Sequence, residues 1–222
     1  MKFLKALHQV SSDQTLTFRQ KVSALLELGC EVLALETGIV SKIDGDVYEV
    51  IESYSTRDPI PSGVTFALSE TYCAETISAD SIIFYPAKDK PPVVEHPCFK
   101  KFALQAYIGI PLEVNGILFG TVNFSSLTPR EESFSEHEVD YILLLSKWVA
   151  TELGREYALS EMLNYQTELE RQNQRLGQMA ELAGVGTWEI DVQKQEIFWS
   201  DALRRMYDLP DDFDVSFETG LD

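Results

Sequence analysis

The chain of 222 residues carries 18 basic and 36 acidic side chains, which gives a formal net charge of −18 at pH 7. Its hydrophobic fraction of 45% is ordinary for a globular protein and too high for a disordered chain. The acidic excess argues against binding to nucleic acid or to an anionic membrane surface, since both require a positive face. No apolar run approaches the roughly 20 residues that span a bilayer. Three cysteines do not form a disulfide framework, so we expect a cytoplasmic protein with reduced thiols.

The first part of the chain begins with a helical pattern and continues with two hairpin patterns. Apolar residues spaced three and four apart predict an amphipathic helix over residues 16–36. Alternating apolar and polar residues around Asp44-Gly45 predict a first β-hairpin. Asn115-Gly116 predicts a second hairpin with a type I′ turn, because both residues tolerate positive φ.

The segment between the hairpins is less regular. Residues 64–78 carry a helical pattern, and residues 82–85 are predicted to form a short strand. The proline-rich stretch 88–97 is predicted to be a loop.

A further helix is predicted after the second hairpin. Ser135 and Glu138 have the spacing of a capping box, and apolar residues follow with helical periodicity from Val139 to Leu153. The whole order is helix, hairpin, helix and loop, strand, hairpin, helix. It predicts an α+β domain over residues 1–154, with an antiparallel sheet and helices on its faces.

Residues 155–183 have a different character, because Glu, Gln, Arg and Leu dominate and proline is absent. A repeating four-three spacing is typical of a coiled-coil seam, and it predicts a parallel homodimer through this helical linker. A single solvated helix is the alternative. The polar seam residues weaken such a dimer but fix its register. The predicted seam consists of Met162, Gln166, Leu169, Asn173, Leu176, Ala180 and Ala183.

The last segment, residues 184–222, has the pattern of two strands and a short helix. Residues 187–191 and 196–199 are the predicted strands, and Ser200 is the predicted helix cap. Since about 40 residues bury little surface on their own, we expect a truncated domain that frays beyond Asp208.

Four stretches of the first part resemble a GAF domain. They are LSETYCAETI at 68–77, IIFYPAKDK at 82–90, AYIGIPLEVNGILFGTVNFSS at 106–126 and FSEHEVDYILLLSKWVATEL at 134–153. The tail ELAGVGTWEIDVQKQEIFWSDALRRMYDLPDD at 181–212 resembles the start of a PAS domain. The combination is similar to the input half of bacterial sensory proteins, in which a histidine kinase or a diguanylate cyclase usually follows in the same chain. The sequence itself contains no ATP-binding or GGDEF motif, so no catalytic activity is predicted for it.

The resemblance implies a small-molecule pocket between one face of the sheet and a covering helix and loop. No cofactor is predicted, because Ala74 follows Cys73 where bilin-binding relatives usually have a histidine. The NKFDE-type signature of cyclic-nucleotide GAF domains is absent as well. Plain core packing is the alternative for each candidate lining residue. These candidates are Tyr72, Cys73, Phe84, Phe99, Phe102, Tyr107 and Asn123.

Two other functions stay open at this point. A GAF domain that fills its own pocket would serve only as a dimerisation module. Some free-standing GAF proteins reduce free methionine sulfoxide, and Cys98 falls near their reactive cysteine, with Cys73 as a candidate resolving thiol.

His96 and Cys98 are two potential metal ligands, too few to close a zinc site. His137 lacks the Arg-Thr-Pro sequence that normally follows a phosphoacceptor histidine, and it is predicted to be an exposed helix residue.

Overall fold

The computed structural model describes residues 2–85, 94–194 and 196–210. The chain divides into two compact units, Met1–Tyr157 and Ala158–Asp222. The predicted α+β class is confirmed, since the first unit contains a six-stranded antiparallel sheet with helices and the second contains a small two-stranded sheet. No helix among the described residues has an apolar stretch long enough to cross a bilayer.

Four strands from the two predicted hairpins form the middle of the large sheet, and a short strand lies at each edge. The order across the sheet is β3-β2-β1-β6-β5-β4, and every neighbouring pair is antiparallel. The strands are β1 (Thr37–Asp44), β2 (Val47–Ser55), β3 (Thr65–Ala67), β4 (Ile83–Tyr85), β5 (Ala106–Val114) and β6 (Ile117–Ser126).

The second hairpin turn forms as predicted, and the first is displaced by one residue. Asn115 and Gly116 have φ values of 53° and 76°, as a type I′ turn requires. In the first hairpin the turn consists of Gly45 and Asp46, because strand pairing resumes at Val47.

Helices cover both faces of the large sheet. The predicted amphipathic helix is α2, which begins after a capping box formed by Thr17 and Gln20. A helix at the start of the chain, α1, was not predicted. The helices of the first unit are α1 (Lys2–Ser12), α2 (Phe18–Leu33), α3 (Cys73–Ala79), α4 (Pro97–Phe102) and the first part of α5 (Glu136–Ala183).

The sheet has an apolar core on each face, because successive strand residues point to opposite sides. On one face, α2 and α5 pack against sheet residues that include Val40, Ile108 and Phe124. On the other face, α3 and α4 contribute to a smaller cluster. Its buried members are Ile39, Tyr48, Val50, Tyr72, Cys73, Cys98 and Tyr107.

Residues 64–78, predicted to be helical, are helical only in their second half. The first half forms β3, a 3₁₀ turn follows at Leu68–Glu70, and α3 begins at Cys73. Phe66 of β3 lies opposite Tyr48 of β2. Pairing with β2 therefore outweighs the helical pattern here, as tertiary context often does.

The proline-rich stretch predicted as a loop lies mainly in residues 86–93, which are outside the described residues. Its last part is not a loop. His96 is the N-cap of α4 and Pro97 is the first helical residue, where a missing N–H is not needed. Cys98, directly after the predicted loop, is buried in this helix.

Helix α5 is one continuous helix of 48 residues. It includes both the helix predicted over Val139 to Leu153 and the predicted helical linker 155–183. The Glu138 carboxylate accepts hydrogen bonds from the N–H and the hydroxyl of Ser135, at 2.7 and 2.8 Å. This is the glutamate half of the predicted capping box.

Gly184 ends helix α5. Its φ of 63° is the left-handed conformation that glycine adopts without strain. The next N–H, that of Val185, donates to the Ala180 carbonyl at 2.8 Å, as in a Schellman motif.

The second unit contains the two strands and the short helix predicted after the linker. They are β7 (Trp188–Asp191), β8 (Glu196–Trp199) and α6 (Asp201–Met206). Ser200 caps α6 by accepting a hydrogen bond from the Leu203 N–H at 3.3 Å. Fraying was predicted beyond Asp208, and residues 211–222 of that stretch lie outside the described residues.

Candidate functional site

A cavity of about 280 Å³ lies in the first unit, between the large sheet and helices α3 and α4. Aromatic side chains form much of its wall, and a group of polar and charged side chains lies where β1 begins and β2 and β6 end. The aromatic lining residues are Tyr48, Phe66, Tyr72, Phe102 and Tyr107. The polar and charged ones include Glu36, Thr37, Ser55, Arg57, Asp58, Ser125 and Ser126.

Strand alternation on β6 positions polar side chains toward the cavity. Val122 and Phe124 belong to the core under α2 and α5. Thr121, Asn123 and Ser125 therefore point to the opposite face, where Asn123 and Ser125 line the cavity. The sheet thus provides a row of small, buried polar groups beneath the aromatic wall.

Asn123 is held by two hydrogen bonds of its amide nitrogen. Its Nδ2 donates to the Tyr48 hydroxyl at 3.0 Å and to the Thr121 hydroxyl at 3.1 Å. Burial raises the pKa of Tyr48 well above its ordinary value, so this hydroxyl stays protonated. These two hydrogen bonds hold the Asn123 amide against the sheet.

A second hydrogen-bonded group connects β5 and α3. The hydroxyls of Thr76 and Tyr107 share a hydrogen bond of 2.6 Å, and the Tyr107 hydroxyl lies 3.4 Å from the Cys73 sulfur. Burial raises the pKa of Tyr107, so it also stays neutral. These contacts anchor the start of α3 above the sheet.

Tyr72 is the centre of an aromatic cluster at the helical side of the cavity. Its ring centroid lies 4.6 Å from that of His96, 5.0 Å from that of Tyr85 and 5.2 Å from that of Tyr107. Its hydroxyl donates to the Leu104 carbonyl at 3.0 Å. Such contacts make the aromatic wall rigid.

His96 connects this cluster to helix α4. Its Nδ1 accepts the Cys98 N–H at 3.1 Å, so the ring proton is carried by Nε2, which lies 3.2 Å from a Glu75 oxygen. Burial lowers the pKa of His96, and Glu75 opposes that shift in part. The neutral imidazole is therefore the form that caps the helix.

The two cysteines at the cavity are protonated thiols. Burial raises the pKa of Cys98 to about 12 and also raises the pKa of Cys73. A nucleophilic cysteine requires the opposite shift, so the environment does not favour the methionine sulfoxide reductase alternative. The described residues contain no group of three or more His, Cys, Asp or Glu side chains that could hold a metal ion.

The structure brings five of the seven candidate pocket residues together at the cavity. They are Tyr72, Cys73, Phe102, Tyr107 and Asn123. Phe99 packs against the same cluster without lining the cavity. Phe84 lies elsewhere: its ring packs against Phe134 at 5.8 Å and is 39% exposed. The reason is alternation on β4, which directs Ile83 and Tyr85 to the cavity face and Phe84 to the other.

Several lining residues were missed by the sequence interpretation. Tyr48 and Ser125 lie on predicted strands, and their alternation with neighbouring residues was a usable signal. Phe66 was missed because residues 64–78 were predicted to be helical, whereas Phe66 lies on β3. Arg57 and Asp58 follow the end of β2 and become lining residues only through the packing of the sheet.

The architecture and the cavity agree with a sequence comparison. A family model of the GAF domain matches residues 19–153. The chain belongs to the GAF domain family. No curated protein sequence matches the chain.

Solved structures with the same fold share little sequence with this GAF protein. The GAF domain of an Acinetobacter phosphoenolpyruvate-protein phosphotransferase superposes with a TM-score of 0.57 at 14% identity, covering 72% of this chain and 96% of that one. The phycocyanobilin-bound GAF domain of a cyanobacterial phytochrome gives 0.56 at 14% identity, with 71% and 97% covered. The PixJ GAF domain of Thermosynechococcus elongatus, in its blue-light absorbing form, gives 0.53 at 16%, with 74% and 95% covered.

Proposed function

We propose that this chain is the sensory input region of a cytoplasmic bacterial signal-transduction protein. A small molecule binds in the GAF cavity, and a dimeric helical linker relays its presence to a histidine kinase or a diguanylate cyclase further along the same protein. Residues 184–222 are, in this proposal, the beginning of a PAS domain. The observation that carries the proposal is the cavity between the sheet and helices α3 and α4.

The composition of the cavity wall supports ligand binding. Ligand sites combine apolar and aromatic walls with a few placed polar groups, and the side chains of Tyr48, Tyr72, Tyr107 and Asn123 provide this combination. The cyanobacterial phytochrome domain of similar fold holds phycocyanobilin, so a GAF sheet with its covering helices is able to enclose a small molecule.

The continuity of helix α5 supports the relay. Its first part contributes Tyr141, Ile142, Leu145 and Val149 to the core on one face of the GAF sheet. The same helix continues to Ala183 without interruption. In this proposal, a change in the packing of its first part shifts or rotates the linker that follows.

The exposed surface of the linker supports dimerisation through the predicted seam. Met162, Leu169 and Leu176 are 68%, 49% and 64% exposed in the single chain. A second copy of the helix would bury these side chains with Gln166 and Asn173, in the four-three pattern of a parallel coiled coil. Two dimer arrangements then differ in ligand affinity, and the ligand shifts their equilibrium by that difference and by no more.

Native mass spectrometry of the purified chain, followed by denaturation, tests both parts of the proposal. We expect a dimer that carries a defined additional mass, which is released on denaturation. A dimer without any ligand would instead support the GAF dimerisation module. A monomer would contradict the relay through the linker.

A further inference from the structure

We propose that the GAF cavity selects small uncharged ring compounds that carry an N–H or O–H donor, and that it excludes anions. This inference rests on the proposed function, because it names the class of ligand for the same cavity. Four properties of the cavity support it: its size, its aromatic wall, two unpaired acceptor atoms and its charge.

The volume suits a ligand of one or two rings. An engineered cavity of about 150 Å³ binds one benzene molecule, and this cavity has about 280 Å³. That space accommodates a fused two-ring compound. Five aromatic side chains line it, and aromatic rings favour flat ligands through stacked or edge-on contacts.

Two buried acceptor atoms at the cavity have no partner among the described residues. Asn123 uses its amide nitrogen for Tyr48 and Thr121, and its carbonyl oxygen accepts no hydrogen bond. The Ser125 hydroxyl, which can accept or donate a hydrogen bond, also has no partner in the described part of the chain. Both residues are 4% exposed. Every polar side-chain atom that is completely enclosed in the described part of the chain has a hydrogen-bond partner. The Asn123 carbonyl oxygen and the Ser125 hydroxyl have none, so they face open space in the cavity.

An unpaired buried acceptor selects a ligand that donates a hydrogen bond. Leaving the Asn123 carbonyl unpaired beneath a bound ligand would cost its full desolvation free energy. A ligand N–H or O–H removes that cost, and discrimination between ligands with and without such a donor is strong for this reason.

The charge around the cavity disfavours anions. Among the described lining residues the charged side chains are Glu36, Arg57 and Asp58, with a net charge of −1. Arg57 is already paired with Glu36 at 2.7 Å. Hydrogen bonds from Arg57, Thr128 and the Leu127 N–H keep the pKa of Glu36 low despite its burial, so this carboxylate is ionised. A ligand carboxylate or phosphate would therefore lose its hydration without gaining a free cation.

Three probes of similar shape test the inference by calorimetric titration of the full chain. Indole is uncharged with one N–H, 1-methylindole lacks the donor, and indole-3-carboxylate is an anion. We expect indole to bind, 1-methylindole to bind roughly tenfold more weakly because an acceptor stays unpaired, and indole-3-carboxylate to show no binding. The NMR signal of the Asn123 side-chain amide reports whether binding occurs at this cavity.

Two serine variants provide a matched pair. Ser125→Ala removes one of the two acceptors that the single N–H of indole can use, and it should weaken indole binding roughly threefold, the value of one modest hydrogen bond. Ser146→Ala removes a buried hydroxyl on the opposite core, which donates to Pro111, and should leave indole affinity unchanged. Equal effects of the two changes would contradict a role for Ser125.

The outcomes separate the ligand class from the proposed function. If indole-3-carboxylate binds as tightly as indole, or if a co-purified ligand proves to be an anion, the ligand class is wrong while small-molecule sensing stands. If no probe binds and the purified chain carries no ligand, both the class and the sensing function are contradicted.

Discussion

His96 joins three parts of the GAF cavity wall through one imidazole ring. Its Nδ1 caps α4, its Nε2 faces Glu75 of α3, and its ring packs against Tyr72. The other titratable groups around it are Tyr85, which donates to Glu75, and the buried thiol of Cys98. Protonation of Nδ1 would turn the capping acceptor into a donor and break the cap.

The first prediction is that His96 makes the stability of the protein depend on pH. Burial lowers its pKa in the folded state below the ordinary value of 6.5, so the unfolded chain binds the proton at a higher pH. The contribution of neutral His96 is therefore complete above about pH 6.5 and is lost as pH falls below that value toward the folded pKa. Urea unfolding at about pH 7.5 and about pH 5 measures the loss.

His96→Asn is the control for this prediction, because its carbonyl still accepts the Cys98 N–H and does not titrate. All carboxylates are retained in this variant, and apart from Glu75, which faces Nε2 of His96, their contribution cancels in the comparison. The wild type should lose more unfolding free energy than His96→Asn between the two pH values. Identical losses would show that His96 does not contribute to the pH dependence.

The second prediction concerns two glycines of the β5–β6 hairpin. At Gly120 of β6 an added Cβ would overlap the backbone carbonyl of Ser41, which cannot move without disturbing β1. Gly120→Ala should therefore lower the free energy of unfolding by more than about 3 kcal/mol. Gly116→Ala meets no atom within 4 Å, so it should cost only about 1–2 kcal/mol for its positive φ. Chemical denaturation followed by circular dichroism compares them, and similar losses would contradict this account.

At the scale of elements, α5 has two different environments along its length. Residues up to Leu153 bury one side against the sheet, as Tyr141, Ile142 and Leu145 do with no exposed surface. From Tyr157 onward the large apolar side chains are mostly exposed. Isolated exposed apolar residues are normal. The series at coiled-coil spacing is the basis of the proposed dimer.

The third prediction is that Asn173 limits the strength of the dimer. Asn173→Leu should tighten self-association roughly tenfold, because an amide is no longer buried in the seam. It should also weaken the response of the output domain, since one arrangement becomes too stable. Sedimentation equilibrium measures the first effect. Gln174→Leu, adjacent but outside the predicted seam, should leave self-association unchanged, and an equal effect of both variants would contradict the assigned seam.

At the scale of the whole molecule, the two units differ in the size of the sheet and of the core that stabilise them. The first unit has a six-stranded sheet with a core on each face. The second contains a two-stranded sheet whose Trp188 and Phe198 are 62% and 77% exposed. An isolated two-stranded sheet is at best marginally stable. The units should therefore differ strongly in local stability.

The fourth prediction is that backbone amides of the two sheets exchange their hydrogens at very different rates. Backbone amides in the middle of β1, β5 and β6 should exchange only through global unfolding of the first unit. Amides paired between β7 and β8 should exchange faster by several orders of magnitude, through local opening. Exchange measured by mass spectrometry on peptic fragments compares the two sheets. Equal protection would mean that the second unit is a stable folding unit in its own right.

Local signals in the sequence predicted much of the fold correctly. The three-four spacing of α2, the Asn115-Gly116 turn and the Ser200 cap each depend on neighbours within a few residues, and each formed as predicted. Residues 64–78 show the limit of such signals. Phe66 pairs with Tyr48, which lies on another strand, and no local pattern contains that contact.

The residues of the candidate site also fall into two groups, those that the sequence placed and those that only the tertiary structure placed. The sequence alone determined that Tyr107 and Asn123 lie on strands of a GAF-like sheet and that Tyr72 and Cys73 lie beside it. Only the tertiary structure decided that Ser125 and the Asn123 carbonyl face a cavity and that Phe84 does not. Alternation specifies which residues share a face, whereas the packing of α3 and α4 on one face decides which of them enclose the space for a ligand.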